Sequence, residues 1–185
     1  MLFITLVYLL FIYIHKIKKL FLLKGDEINY MKIDWTWKKF EDFSGAEMHE
    51  MLSVRENVFV VEQECAYLEA DDLDKQSWHL IGRNPSGILI AYARITFPGS
   101  KYDEPTFGRV LTVQKSRGIG LGRKIIKECI KKSNSEYPGM SVRISAQTYL
   151  IKFYKDFGFK IVGQPYDDEG IEHIDMLLIQ KSVKD

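Results

Sequence analysis

Hydrophobic and polar positions change rhythm several times along the chain, and each change marks an element. From Met31 the run Met31-Lys32-Ile33-Asp34-Trp35-Thr36-Trp37 alternates, so residues 32–40 read as a first strand. Ser44-Gly45-Ala46-Glu47 sets a serine and a glutamate three apart, a capping box that opens an amphipathic helix running to about Phe59. Residues 61–75 are acidic and read as a loop or broken helix. Residues 78–82 and 88–97 are two strands joined by the hairpin turn Arg83-Asn84-Pro85-Ser86-Gly87. A fourth strand, 106–113, runs into a glycine-rich turn and a helix from Leu121 to about Asn134. Residues 140–146 form a fifth strand, and 149–157 a short helix that Gly158 ends. Residues 159–163 and 173–180 complete the sheet, with 166–170 as the loop between them. Strands alternating with helices over short connections predict a single α/β domain, residues 31–185, with no internal repeat.

The first thirty residues follow another pattern. Residues 1–14 are almost purely apolar, His15-Lys16-Ile17-Lys18-Lys19 interrupts them, and 20–23 are apolar again. A secretory signal needs a basic start and a small-residue cleavage site, and neither is present. A membrane span needs about 20 apolar residues, and this run breaks at His15. A short anchor with Lys16, Lys18 and Lys19 at the headgroups is one reading. The preferred one is that translation starts at Met31, since Lys24-Gly25-Asp26-Glu27 can be encoded by a purine-rich ribosome-binding sequence. Residues 1–30 are then extraneous to the domain, and a membrane is a partner only if they are translated.

Composition removes several classes. With 26 basic and 25 acidic residues the net charge is +1, which argues against a nucleic-acid partner. Cys65 and Cys129 lie far apart and form no C-x-x-C pair, against a disulfide framework or zinc site and in favour of a reducing cytoplasm. No histidine, cysteine and carboxylate cluster has metal-ligand spacing, so no metal is expected.

The most informative segment is Arg117-Gly118-Ile119-Gly120-Leu121-Gly122, followed by Arg123. Glycines let backbone N–H groups approach an anion, the start of the following helix aims more of them at it, and the two arginines add charge. A phosphate or diphosphate is the natural guest. Gly122 is followed by Arg123-Lys124 rather than Lys-Ser or Lys-Thr, which excludes a Walker loop, and the G-x-G-x-G spacing late in the domain is not a Rossmann turn.

The order R-x-x-G-x-G resembles the coenzyme A signature of the GNAT acetyltransferases. Tyr154-Lys155-Asp156-Phe157-Gly158-Phe159 is similar to that superfamily's second motif. Arg55-Glu56-Asn57-Val58-Phe59-Val60-Val61-Glu62-Gln63, Ala91-Tyr92-Ala93-Arg94, Gly108-Arg109-Val110 and Gly170-Ile171-Glu172-His173-Ile174 resemble its ElaA-type branch. Cys65 is followed by Ala66, where the resemblance leads to an expected proline. The resemblance implies a GNAT fold, a mixed sheet of six to seven strands with splayed fourth and fifth strands and flanking helices. It also implies acetyl-CoA as co-substrate, with Leu111, Thr112 and Val113 pairing with the pantetheine arm and Arg117 to Arg123 holding the diphosphate. A free N–H near Val110 or Leu111 would polarise the thioester carbonyl.

The implied activity is transfer of acetyl to a primary amine of a small acceptor by direct attack in a ternary complex, since no serine or cysteine has an evident activating partner. Tyr154 is the candidate acid for the thiolate; the competing reading is a core tyrosine beside Phe153 and Phe157. Glu62, then His173, are candidate bases, with a positioned water as a third option. Arg94 and Arg109 interrupt apolar strands and need carboxylates, either a protein network through Glu62 or Asp71 or a carboxylate of the acceptor. Glu62, Glu64, Glu69, Asp71, Asp72 and Asp74 read as a solvated acidic loop or an attractor for a cationic amine. Two rivals remain: an acyl-homoserine-lactone-synthase-like enzyme, and a non-catalytic membrane-attached acyl-CoA sensor. A homodimer is compatible with either reading.

Overall fold

A computed structural model describes residues 32–180. The expectations for residues 1–30 lie outside the described residues. Eight strands among the described residues form one mixed sheet in the order β1-β2-β3-β4-β5-β8-β6, with β7 also on β8. The strands are β1 (Asp34–Lys39), β2 (Ser77–Arg83), β3 (Leu89–Thr96), β4 (Thr106–Thr112), β5 (Val142–Gln147), β6 (Lys160–Ile161), β7 (Tyr166–Asp168) and β8 (Ile171–Leu178). Three α-helices accompany them: α1 (Gly45–Glu56), α2 (Leu121–Glu136) and α3 (Ile151–Lys155).

α1 opens on the expected capping box, in which Ser44 Oγ accepts from Glu47 N and Ser44 N donates to Glu47 Oε2. The Lys38 ammonium, 2.6 Å from Glu47, and these bonds from Ser44 hold the Glu47 carboxyl down at about 2. The helix does not end at Phe59. It widens into a π-helical turn, Asn57–Glu62, which buries Val58 and carries Glu62 outward on its last residue. Met51 and Val58 pack with Ile81, Tyr92 and Leu111 on one face of the sheet. α2 packs on β3 and β4 from the other face, where Lys132 Nζ lies 3.6 Å over the Trp78 ring and Leu121, Ile125, Ile126 and Cys129 are buried.

Residues 166–170 are not a simple loop. β7 and β8 form a hairpin whose two connecting residues, Glu169 (φ 53°) and Gly170 (φ 82°), are both left-handed, as a type I′ turn requires. Glutamate in that position is an unusual signal, which is why the pattern concealed a strand. The strand expected over 159–163 is short, with Lys160 and Ile161 in register with β8 and Val162 N donating to Asp175 O at 2.9 Å.

Candidate active site

β4 and β5 run parallel and share one paired position, Thr106 with Arg143. Beyond it they splay, and a cleft opens toward their C-terminal ends. Val113 N donates to Ile90 O at 3.0 Å. Antiparallel pairs alternate between those that exchange hydrogen bonds and those that do not. Val113 and Leu111 therefore turn their backbone groups to β3, and Thr112, opposite Ala91, turns its N–H and carbonyl to the cleft. Arg117 Nε reaches that carbonyl from the open side at 3.1 Å. Of Leu111, Thr112 and Val113, expected to pair with a pantetheine arm, Thr112 is the one whose backbone groups face the cleft.

One bulge sits just before this stretch. Tyr92 faces Leu111 while Arg94 faces Gly108, so Arg109 and Val110 together oppose Ala93. Arg109 is left-handed (φ 50°), a conformation costing a side-chain-bearing residue about 1–2 kcal/mol. Its Nε lies 2.8 Å from Glu69 Oε2, with the N–H not aimed at the oxygen, so the contact is ionic rather than a hydrogen bond. Asp71 stands 3.5 Å from its Nη2 and the Tyr67 ring lies 5.5 Å below the guanidinium.

At the end of β4 the chain enters the glycine turn. Gly118 and Gly120 are left-handed (φ 80° and 78°), and a methyl group on either would meet no protein atom within 4 Å. Gly120 is the N-cap of α2 and supplies no side-chain cap. The N–H groups of the first helical turn thus face open space at the positive end of a helix, a cradle that fits a diphosphate. A Cβ at Gly122 would lie 3.9 Å from Phe153, an ordinary contact, so packing alone does not demand glycine there. Arg123 is engaged with α3, 3.0 Å from Asp156 and stacked over Phe157. Ile119 is half-buried.

The acidic loop is solvated only in part: Glu62, Glu64 and Asp72 are exposed, whereas Glu69 and Asp74 are buried and Asp71 half-buried. Arg55, fully buried in α1, donates to Glu69 (2.6 Å) and Asp74 (2.7 Å), and Arg94 to Asp71 (2.5 Å) and Asp74 (2.7 Å). His79 completes the network: its Nε2 donates to the Asp74 carbonyl, and its Nδ1 accepts from Tyr92 Oη. Arg94 is 6% exposed and its guanidinium is taken up by protein carboxylates, so the network accounts for it without an acceptor. Arg109 is 27% exposed and sits nearer the cleft.

The three candidate catalytic groups lie in different places. Glu62 forms a two-pronged ion pair with Arg117, at 2.5 and 2.9 Å, so both carboxylate oxygens are engaged. Tyr154 is buried on the α2 face against Phe107, Phe153 and Phe159. Burial holds its hydroxyl protonated far above neutrality. His173 is paired with Gln147 at the end of β5, and strand alternation from the Thr106–Arg143 pair puts Arg143, Ser145, Gln147 and His173 on the α1 face. Its Nδ1 lies 2.8 Å from the Ile171 carbonyl, which only accepts, so Nδ1 is the donor and in the neutral tautomer Nε2 is the nitrogen with the lone pair. The ring stacks on Tyr166, whose hydroxyl reaches Ser145 and Asp175. Among the described residues no group of histidines, cysteines and carboxylates is arranged to hold a metal ion.

The profile of the family described as acetyltransferase (GNAT) domain matches residues 41–179. The chain belongs to the GNAT acetyltransferases. A UPF0039 protein of Synechocystis is 59% identical to this GNAT chain over 80% of its length and 96% of the relative's. An acyl-CoA N-acyltransferase from Pseudomonas aeruginosa superposes with a TM-score of 0.76 at 34% identity, covering 80% of this chain and 99% of the other. Escherichia coli ElaA superposes at 0.74 with 30% identity over 80% and 99%. The branch expected from the sequence is thus the one found, and as a GNAT protein the chain has an acyl-CoA acyltransferase fold. Sequence reading missed the buried Arg55, its carboxylate partners Glu69 and Asp74, and the Tyr166–Ser145–Asp175 row. Arg55 gave a signal in retrospect, being a charge within the apolar side of α1.

Proposed function

We propose that the chain transfers an acetyl group from acetyl-CoA to the primary amine of a small acceptor, directly and in the cytoplasm. The observation carrying this reading is the parting of β4 and β5 beside an open glycine cradle at the start of α2. No helix among the described residues is long and apolar enough to cross a membrane. The turn from Arg117 to Gly122 would hold the diphosphate, and Thr112 would pair with the pantetheine arm. Alternation from Thr112 gives the Val110 N–H the same outlook, as donor to the thioester carbonyl.

His173 Nε2 would take the proton of the acceptor's ammonium, a role supported by the Nδ1 contact with the Ile171 carbonyl, which leaves Nε2 as the free ring nitrogen. The neutral nitrogen then forms a C–N bond as the C–S bond breaks, Tyr154 gives its proton to the departing thiolate, and the second proton that the nitrogen sheds on becoming an amide restores the Tyr154 hydroxyl by way of water. Glu62 acts here as the partner of Arg117 rather than as the base. Direct transfer is favoured over an acyl-enzyme because the Cys129 thiol is buried and burial pushes its pKa up, away from the thiolate.

Calorimetric titration of acetyl-CoA into the full chain, with thiol release followed across an amine panel, tests the reading. Binding with release supports it and names the acceptor class. Binding without release for any amine sinks the transferase reading in favour of a sensor, and no binding removes the cofactor assignment.

A further inference from the structure

Arg117 does two things at once. Its Nε covers the Thr112 carbonyl, the one at the end of β4 that faces the cleft, and its terminal nitrogens clasp both oxygens of Glu62. Glu62 closes the π-helical turn on the α1 face, whereas Arg117 opens the glycine turn. The pair therefore straps the cofactor turn to the element on the acceptor side. Both partners are partly exposed, 41% and 33%, so the strap is held by an ion pair that water and salt weaken.

We propose that this pair is an exchangeable latch in which Arg117 leaves Glu62 and Thr112 for the diphosphate. The inference rests on the coenzyme A reading above and goes beyond it. A guanidinium binds phosphate and carboxylate oxygens with the same two-pronged geometry, and a diphosphate in the cradle carries more charge than one carboxylate. Movement of this single side chain uncovers the Thr112 carbonyl for the pantetheine amide. The same movement leaves the Glu62 carboxylate uncompensated at the rim of the acceptor face, where it attracts an ammonium. Cofactor binding then precedes acceptor binding for an electrostatic reason. Neighbouring Arg123 pairs with Asp156 and two phenylalanine rings and covers no backbone carbonyl of β4, so its movement would not uncover Thr112.

The test uses the full chain with coenzyme A and pantetheine, which lacks the diphosphate, as probes. Arg117 Nε–Hε and Glu62 carboxyl resonances are followed by NMR, assigned through Arg117→Lys and Glu62→Gln. Coenzyme A is expected to shift both, whereas pantetheine, which offers Arg117 no phosphate, leaves the Glu62 resonance in place. Glu62→Gln removes the competitor, so calorimetry should show coenzyme A binding about two- to fivefold tighter with pantetheine unchanged, the size expected of an exposed ion pair. Glu62→Asp, too short to hold both prongs, should fall between. Resonances that stay in place at saturating coenzyme A, or a Glu62→Gln affinity equal to or weaker than wild type, overturn the latch while leaving the coenzyme A reading intact. Failure of wild type to bind coenzyme A overturns both.

Discussion

Tyr154 and Arg55 are both buried, and their surroundings predict opposite consequences of substitution. The Tyr154 ring is clamped by Phe107, Phe153 and Phe159, yet among the described residues its hydroxyl makes no protein hydrogen bond. Tyr154→Phe should therefore leave the melting temperature and coenzyme A affinity nearly unchanged. If the hydroxyl protonates the thiolate, turnover falls about a hundredfold. Unchanged turnover by a thiol-release assay would return Tyr154 to the core. Arg55 instead bonds with Glu69 and Asp74 inside the protein. Arg55→Met leaves those carboxylates short of positive charge in a dry environment, which costs about 3–5 kcal/mol. Urea unfolding measures it, and a loss under about 1 kcal/mol would mean that Arg94 and Arg109 carry the network unaided.

Elements decide which backbone groups are offered to a ligand. β4 contributes Thr112 because its neighbours are turned to β3, and the bulge at Arg109 resets the alternation just before it. The glycine turn contributes N–H groups because Gly118 and Gly120 adopt a conformation that other residues rarely take. Gly120→Ala should destabilise the fold by about 1–2 kcal/mol through backbone strain alone. Its methyl group would also enter the open space beside the turn, so coenzyme A affinity should fall at least tenfold by calorimetry. A variant that loses stability but binds as tightly as wild type would place the diphosphate elsewhere.

Across the whole molecule, the buried ionic network makes stability depend on pH in two windows. Burial lowers the pKa of His79 below its ordinary 6.5. An unfolded chain takes up that proton first, so the contribution is complete above about pH 6.5 and declines as pH falls below it. Burial raises Asp71 and Asp74, but Arg94 and Arg55 outweigh it and leave both below their ordinary 3.8. Their contribution is present above that value and is lost at lower pH, as the native pair is protonated. Urea midpoints should therefore fall first as pH drops below about 6.5 and again as it drops below about 4, and His79→Gln should abolish the upper step alone. An upper step that persists in that variant would assign it to another group.

Local pattern was enough for most elements, because alternation, capping and glycine turns report interactions between residues close in the chain. Ser44 with Glu47, the turn from Asn84 to Gly87, and the strand leading into Arg117 to Gly122 were all legible that way. The β7–β8 hairpin was not, since Glu169 lacks the chemistry usually needed for a left-handed turn. Nor did the sequence reveal which charges would meet. Glu62 and Arg117 are 55 positions apart, and Arg55 and Asp74 lie 19 apart. What the sequence by itself determined was the kind of chain: an α/β domain with an anion-binding turn and the GNAT motifs. Tertiary structure alone decided the pairing of charges, the outward turn of Thr112 and the separation of Glu62, Tyr154 and His173. These depend on strand register and on contacts between distant segments, which no local spacing encodes.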